Sequence, residues 1–215
     1  MMVGGQDRQR PVSYGSVGMT AAPDVIAFPP PGFHVVVRQQ RIGSGAERFA
    51  SARDTLFSWG MHSAAGFAVG VTSVGDNDGY QGLRQNADGQ WHVASESSGT
   101  HFTQDGQQYV TPGTETTTRA LWDKTGQTTD FRVIYNVHEA RRAGFAWGTL
   151  TATPVVGEEY FGVDWRDDDS VWTLVASITS VVPTRWSWLT KFVVRLRQAR
   201  AATRLARALA PARQA

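Results

Sequence analysis

The residues with the clearest chemical potential are two adjacent glutamates, Glu158 and Glu159, in the run Gly157-Glu158-Glu159-Tyr160-Phe161-Gly162-Val163-Asp164-Trp165. Consecutive residues of a strand point to opposite faces, so Glu159 shares its face with Phe161, Val163 and Trp165. A carboxylate on an apolar face loses water, which favours its protonated form. Such a group serves as general acid, general base or hydrogen-bond anchor in a cavity. The competing reading is a strand-end residue that reaches solvent or pairs with an arginine. The second acid–base candidate is His62. It is one of five histidines (His34, His62, His92, His101, His138) that show no ligand spacing among themselves, so no metal site is expected. Eight tryptophans complete the set. Trp59 falls on a helix and Trp147, Trp165 and Trp172 on strands, with Trp186 and Trp188 at the entry of the last helix. That distribution suits either a deep cleft with flat apolar walls or a core of large residues.

Other motifs fail on inspection. Ile42-Gly43-Ser44-Gly45 lies between a strand and a helix, as a dinucleotide fingerprint does, but Arg48 stands where the third glycine belongs. His138-Glu139 opens like a zinc-protease helix and lacks the second histidine. Asp164, Asp167, Asp168 and Asp169 lack the alternate-residue pattern and distal glutamate of a calcium loop. No G-x-S-x-G elbow occurs, and the absence of cysteine excludes disulfides, thiolate metal sites and cysteine catalysis. No cofactor is expected.

The elements that must hold these groups follow from periodicity. With 215 residues and 41% of them hydrophobic, the chain has the composition of a globular domain. Residues 1–32, ending in Phe28-Pro29-Pro30-Pro31-Gly32, read as an irregular arm. His34–Arg41 is a β-branched strand. Ser44-Gly45-Ala46-Glu47 fits a capping box for a helix over 45–59, with Phe49, Ala52, Leu56 and Trp59 on its buried stripe and Gly60 and Gly66 closing it. Phe67–Val74 alternates as a strand. Short strands are expected near Gln90–Val93 and Tyr109–Val110. Phe131–Val137, Phe145–Thr151, Glu158–Trp165 and Ser170–Val181 then alternate with connections too short for parallel crossovers, which demands an antiparallel meander. After Pro183, Thr184 caps a long helix whose stripe is Leu189, Phe192, Val193, Leu196, Ala199, Thr203 and Ala206. The order predicts an α+β fold, a curved antiparallel sheet gripping a long C-terminal helix. The arm is residues 1–32, a single α+β domain spans 33–210 with an insertion near 85–108, and 211–215 form a tail.

Charge is unevenly spread. Eight of the 21 Lys and Arg residues and no acid follow Asp169, while the other thirteen cations precede it and it is the last of the 19 acids. The basic helix reads as a solvated face, as a contact for an anionic membrane surface with Trp186, Trp188 and Phe192 as anchors, or as a nucleic-acid contact. The acidic body and the absence of any recognised motif disfavour nucleic acid. No run approaches the ~18 apolar residues of a membrane span, and the polar start has no secretory core, so a cytoplasmic location is expected.

Gly144-Phe145-Ala146-Trp147-Gly148-Thr149-Leu150, Pro154, Gly157-Glu158-Glu159-Tyr160-Phe161 and Ser170-Val171-Trp172 together resemble the signature of DUF1990, an uncharacterised family found mainly in actinobacteria and plants. Earlier pieces agree: Tyr14 with Val17-Gly18 and Thr20, Pro31-Gly32-Phe33, Ile42-Gly43-Ser44-Gly45, Trp59-Gly60-Met61-His62, and Phe131-Arg132-Val133-Ile134-Tyr135. The family's Pro-Gly-His is here Thr151-Ala152-Thr153, and Gly60 replaces its usual arginine. By element order the resemblance implies a START-like helix-grip fold, a class that often encloses an apolar ligand or acts as a small-molecule cyclase. The expected site is a cavity between sheet and C-terminal helix for an apolar or aromatic small molecule or lipid. Trp59, Tyr135, Trp147, Phe161 and Trp165 would line it, with Glu159, Thr149 and His62 as polar contacts. A cyclase or isomerase using Glu159 or His62 is the alternative, and a partner-binding role through the basic helix is the third. The ligand readings call for a cavity of ~300–1,000 Å³.

Overall fold

The computed structural model describes residues 10–22, 24–75, 83–85, 91–93, 109–150, 155–182 and 187–211. The strands are β1 (His34–Ser44), β2 (Phe67–Ser73), β3 (Leu83–Gln85), β4 (Trp91–Val93), β5 (Glu115–Ala120), β6 (Thr128–His138), β7 (Arg142–Thr149), β8 (Val155–Trp165) and β9 (Ser170–Val181). The helices are α1 (Ala46–Phe57), α2 (Gly60–Ala64) and α3 (Ser187–Arg207). Seven strands form one curved antiparallel sheet in the order β1-β9-β8-β7-β6-β5-β2, and β3 pairs with β4 separately. With α3 laid on β1 and β9, and α1 on β8 and β7, this is the helix-grip architecture. β6 to β9 pair antiparallel in chain order, so each zips onto its predecessor.

The helices share one face of the sheet with the main core. Phe49, Ala52, Leu56 and Phe57 of α1, Met61 of α2 and Ala202, Leu205 and Ala206 of α3 are buried there against Phe145, Phe161, Val163 and Val175. The opposite face is covered by the N-terminal arm, where Tyr14, Met19 and Val25 pack on Ile178. Gly148 makes that approach possible, because a Cβ there would collide with the Tyr14 hydroxyl oxygen.

Several sequence expectations are corrected. The capping box does not form: Ser44 is still strand, paired with Ser170, and Gly45 is the N-cap with no side-chain cap. Glu47 keeps only its favourable place in the first turn. α1 ends at Phe57 rather than at Trp59, because Trp59 takes a left-handed conformation (φ 64°) from which Gly60 starts α2. Tyr109–Val110 is no strand, and the Val110 amide donates to the Phe57 carbonyl at 3.0 Å. β5 was not foreseen. In α3 the buried side is Ala202, Leu205 and Ala206, whereas Phe192 (63% exposed), Val193 and Leu196 face outward, so the expected stripe is buried only in its C-terminal half. The Thr184 cap and most of the 85–108 segment lie outside the described residues.

Candidate functional site

Between the inner face of the sheet and α3 lies a cavity of about 240 Å³. This is below the expected range, yet an apolar cavity of about 150 Å³ already takes up benzene. One ring with a short chain is the natural fit.

Its walls are built by strand parity. Phe131 and Val133 on β6 face inward opposite Thr149 and Trp147 of β7, and Trp147 in turn sits opposite Glu159 of β8. Phe131 and Trp147 stack with centroids 4.3 Å apart, and Phe67 adds a third aromatic wall. Gln198, Ala201 and Leu205 of α3 close one side, and Asp123 and the exposed Gln127 of the β5–β6 turn lie at the rim.

Glu159 is half-buried and lines the cavity. The Trp147 indole N–H donates to its Oε2 and the Ser177 hydroxyl to its Oε1, each at 3.0 Å. Burial raises its pKa above the usual 4.5, and these two hydrogen bonds offset only part of that rise. His62 is 1% exposed and also lines the cavity. It is surrounded by Trp59, Phe145, Trp147 and Phe161, with centroid distances of 4.6 Å to Trp147 and Phe161. Neither ring nitrogen has a hydrogen-bond partner among the described residues. Burial pulls its pKa down to about 3, so the imidazole is neutral at physiological pH. Thr149 Oγ1 accepts from the Gly157 amide at 3.0 Å and shares a hydrogen bond with the Ser13 hydroxyl at 2.6 Å.

Of the expected lining residues, the structure brings His62, Trp147, Thr149 and Glu159 together at the cavity. Phe161 and Trp59 stand behind them, packed on His62 and Trp147. Trp165 lies away from the cavity, stacked on Phe49 beneath α1 and covered by the Arg141 guanidinium. Tyr135 is on the other face. A β-bulge between Val133 and Tyr135 breaks the alternation, turning Tyr135 outward onto Tyr160 and the Thr20 hydroxyl. Phe67, Phe131, Asp123 and Gln198 were not foreseen as lining. Phe131 was within reach of parity counting, being two residues from Val133.

Glu158, the other member of the pair, is wholly buried under the arm. It accepts hydrogen bonds from the Tyr14 hydroxyl (2.8 Å), the Gly18 amide (2.8 Å), the Thr20 amide (2.9 Å) and the Thr20 hydroxyl. The arm is fastened again where Arg10 pairs with Glu115 and Asp130. Among the described residues no group of three or more His, Cys, Asp or Glu is arranged to hold a metal, and no helix is long and apolar enough to cross a membrane.

Solved structures of related shape include a hypothetical protein from Helicobacter pylori, 11% identical over 91% of this chain and 98% of that one, with a TM-score of 0.47. A protein from Thermus thermophilus is 9% identical over 82% and 94% of the two chains (TM-score 0.47). Norcoclaurine synthase of Thalictrum flavum, in complex with a transition-state analogue, is 12% identical over 82% and 94% (TM-score 0.44). No curated protein matches the chain in sequence. The model of the "Domain of unknown function (DUF1990)" family matches residues 13–93 and 85–208. From the arm that covers Glu158 to the helix that closes the cavity, then, the chain is matched throughout, and it belongs to the DUF1990 family.

Proposed function

We propose that the protein binds a small molecule with a flat apolar body in the cavity between the sheet and α3. The observation that carries this reading is the cavity itself, about 240 Å³ with aromatic walls and the polar groups of His62, Thr149 and Glu159 converging on it. Concave apolar sites with a few placed polar groups are the usual form of a ligand site. The test is native mass spectrometry of gently purified full-length protein, with thermal denaturation against a library of one-ring fragments. The expected result is a one-to-one adduct or fragments that raise the melting temperature of wild type and not of Trp147→Ala. The bare chain mass together with no fragment effect overturns the reading.

The raised pKa of Glu159 favours one alternative, a cyclase or isomerase using this carboxyl as acid and base. His62, neutral to about pH 3, serves there as hydrogen-bonding group rather than proton donor. Turnover of the recovered ligand, abolished in Glu159→Gln, distinguishes enzyme from carrier.

A role for α3 as a contact for anionic membrane rests on its composition. Phe192, Val193 and Leu196 are exposed beside Arg195, Arg197 and Arg200, and the helix holds no acid. Cations with exposed apolar anchors suit an anionic lipid surface. Co-sedimentation with phosphatidylserine vesicles is expected for wild type and reduced about thirtyfold or more by Phe192→Ser with Arg195→Gln and Arg197→Gln, given ~1 kcal/mol per basic residue near such a surface. Equal sedimentation with neutral vesicles overturns it.

A further inference from the structure

The cavity's charge is one-sided. Asp123 and Glu159 are the only charged residues among the described residues lining it, and no Arg or Lys is present there. Arg132 is committed to Glu115, Arg38 to Thr203 and Arg204 to the face of Trp122, while Arg197 acts on Asp123 and not on Glu159. Glu159 therefore has no cationic partner among the described residues. Its two oxygens accept one hydrogen bond apiece, from Trp147 and Ser177, whereas a carboxylate offers about four lone-pair positions. Acceptor capacity is left over in a space walled by Phe67, Phe131 and Trp147. A carboxylate in apolar surroundings is costly without a counter-charge, and aromatic faces attract cations.

An independent observation comes from His62. This side chain is 1% exposed, lines the same cavity and has both nitrogens unpartnered. A neutral imidazole presents one acceptor and one donor, so its acceptor nitrogen is a second place for a ligand N–H. A buried polar side chain left without partners in the protein is the kind of group a ligand satisfies.

Resting on the binding reading above, we infer that the ligand is a small organic cation, a protonated amine on a one-ring apolar body. Its ammonium donates to Glu159, and its ring lies among Phe67, Phe131 and Trp147. The cavity volume of about 240 Å³ limits the body to a single ring and a short chain.

The test uses three probes of nearly equal size, 2-phenylethylammonium, 2-phenylethanol and phenylacetate, titrated into the full-length chain at neutral pH by calorimetry or ligand-observed NMR. An alkyl ammonium keeps its proton below about pH 9, as lysine does. The ammonium is expected to bind about tenfold or more tighter than the alcohol, the size of a charge-assisted hydrogen bond, with phenylacetate weakest. Glu159→Gln is expected to erase the preference for the ammonium while still binding the alcohol. Alcohol or phenylacetate binding as tightly as the ammonium overturns this inference and leaves the binding reading standing. No binding by any probe or fragment overturns both. If the Gln variant does not fold, the wild-type probe series decides alone.

Discussion

Glu158→Ala is expected to destabilise the protein by about 4 kcal/mol, since each buried donor left without an acceptor costs about 1–3 kcal/mol and water recovers only part of the loss. The Tyr14 hydroxyl and the Gly18 and Thr20 amides all end on this one carboxylate, which has no exposed surface. They belong to the arm, so the loss is local first: Tyr14, Met19 and Val25 lift from Ile178 and bare the outer face of the sheet. The measurement is a urea melt together with limited proteolysis of residues 10–33. A lower midpoint and rapid cleavage before His34 are expected. Glu158→Gln keeps one acceptor oxygen but turns an amide NH₂ toward donors, so about half the loss follows. A Glu158→Ala midpoint within about 0.5 kcal/mol of wild type, the range of ordinary surface substitutions, would sink the anchoring role.

His62 sets the second expectation. Its pKa is about 3 in the fold against about 6.5 in the unfolded chain. Between those values the unfolded chain binds a proton that the folded one does not. Stability therefore falls as pH drops below about 6.5, by about 1.4 kcal/mol per pH unit, or about 3 kcal/mol between pH 6.5 and 4.5. Glu159 works in the opposite sense. Its folded pKa lies above 4.5, so its contribution is present below 4.5 and lost as pH rises through the folded value. His62→Phe removes the first effect and leaves the second. Near neutral pH it is expected to stabilise by about 1 kcal/mol, because two unpartnered buried nitrogens disappear. At pH 5 the gain grows to about 3 kcal/mol and the acid slope flattens. Urea melts from pH 7.5 to 4.5 on both proteins decide it, and parallel profiles would show His62 to be protonated or partnered after all. A side chain that costs stability in this way is easier to understand as part of a binding site than as packing.

What was legible in the sequence is what depends on neighbours. β8 and β9 pair without a bulge, so Glu159 could be placed on the inner face by counting from Phe161 and Val163. β5, Glu-Thr-Thr-Thr-Arg-Ala, has no apolar alternation. It buries Thr116 and Thr118 instead, and the pattern gives no sign of which threonines turn inward. Parity counting misplaces Tyr135 because one extra residue in β6 reverses the parity of everything after it. The anchoring role of Glu158 escapes notice for a different reason. Parity sends it to the face away from the helices, which reads as solvent until an arm from the far end of the sequence is seen to cover it. The cavity likewise depends on α3 crossing above β1 and β9, a tertiary fact with no local signal. The basic stripe of α3 was visible, but where along its length the helix leaves the core was not.

The pairing of β1 with β9 joins the first long strand of the chain to its last. A contact spanning nearly the whole sequence is slow to close, because the intervening chain must be ordered before that contact rewards it. During synthesis β1 waits on the ribosome while the hairpin-linked β5 to β8 form beside it. α3, which rests on both β1 and β9, docks only after that seam has closed. The cavity beneath α3 is therefore the last part of the molecule to form. A molecule that occupies it acts on the final step of maturation, favouring the finished chain over its precursors by mass action.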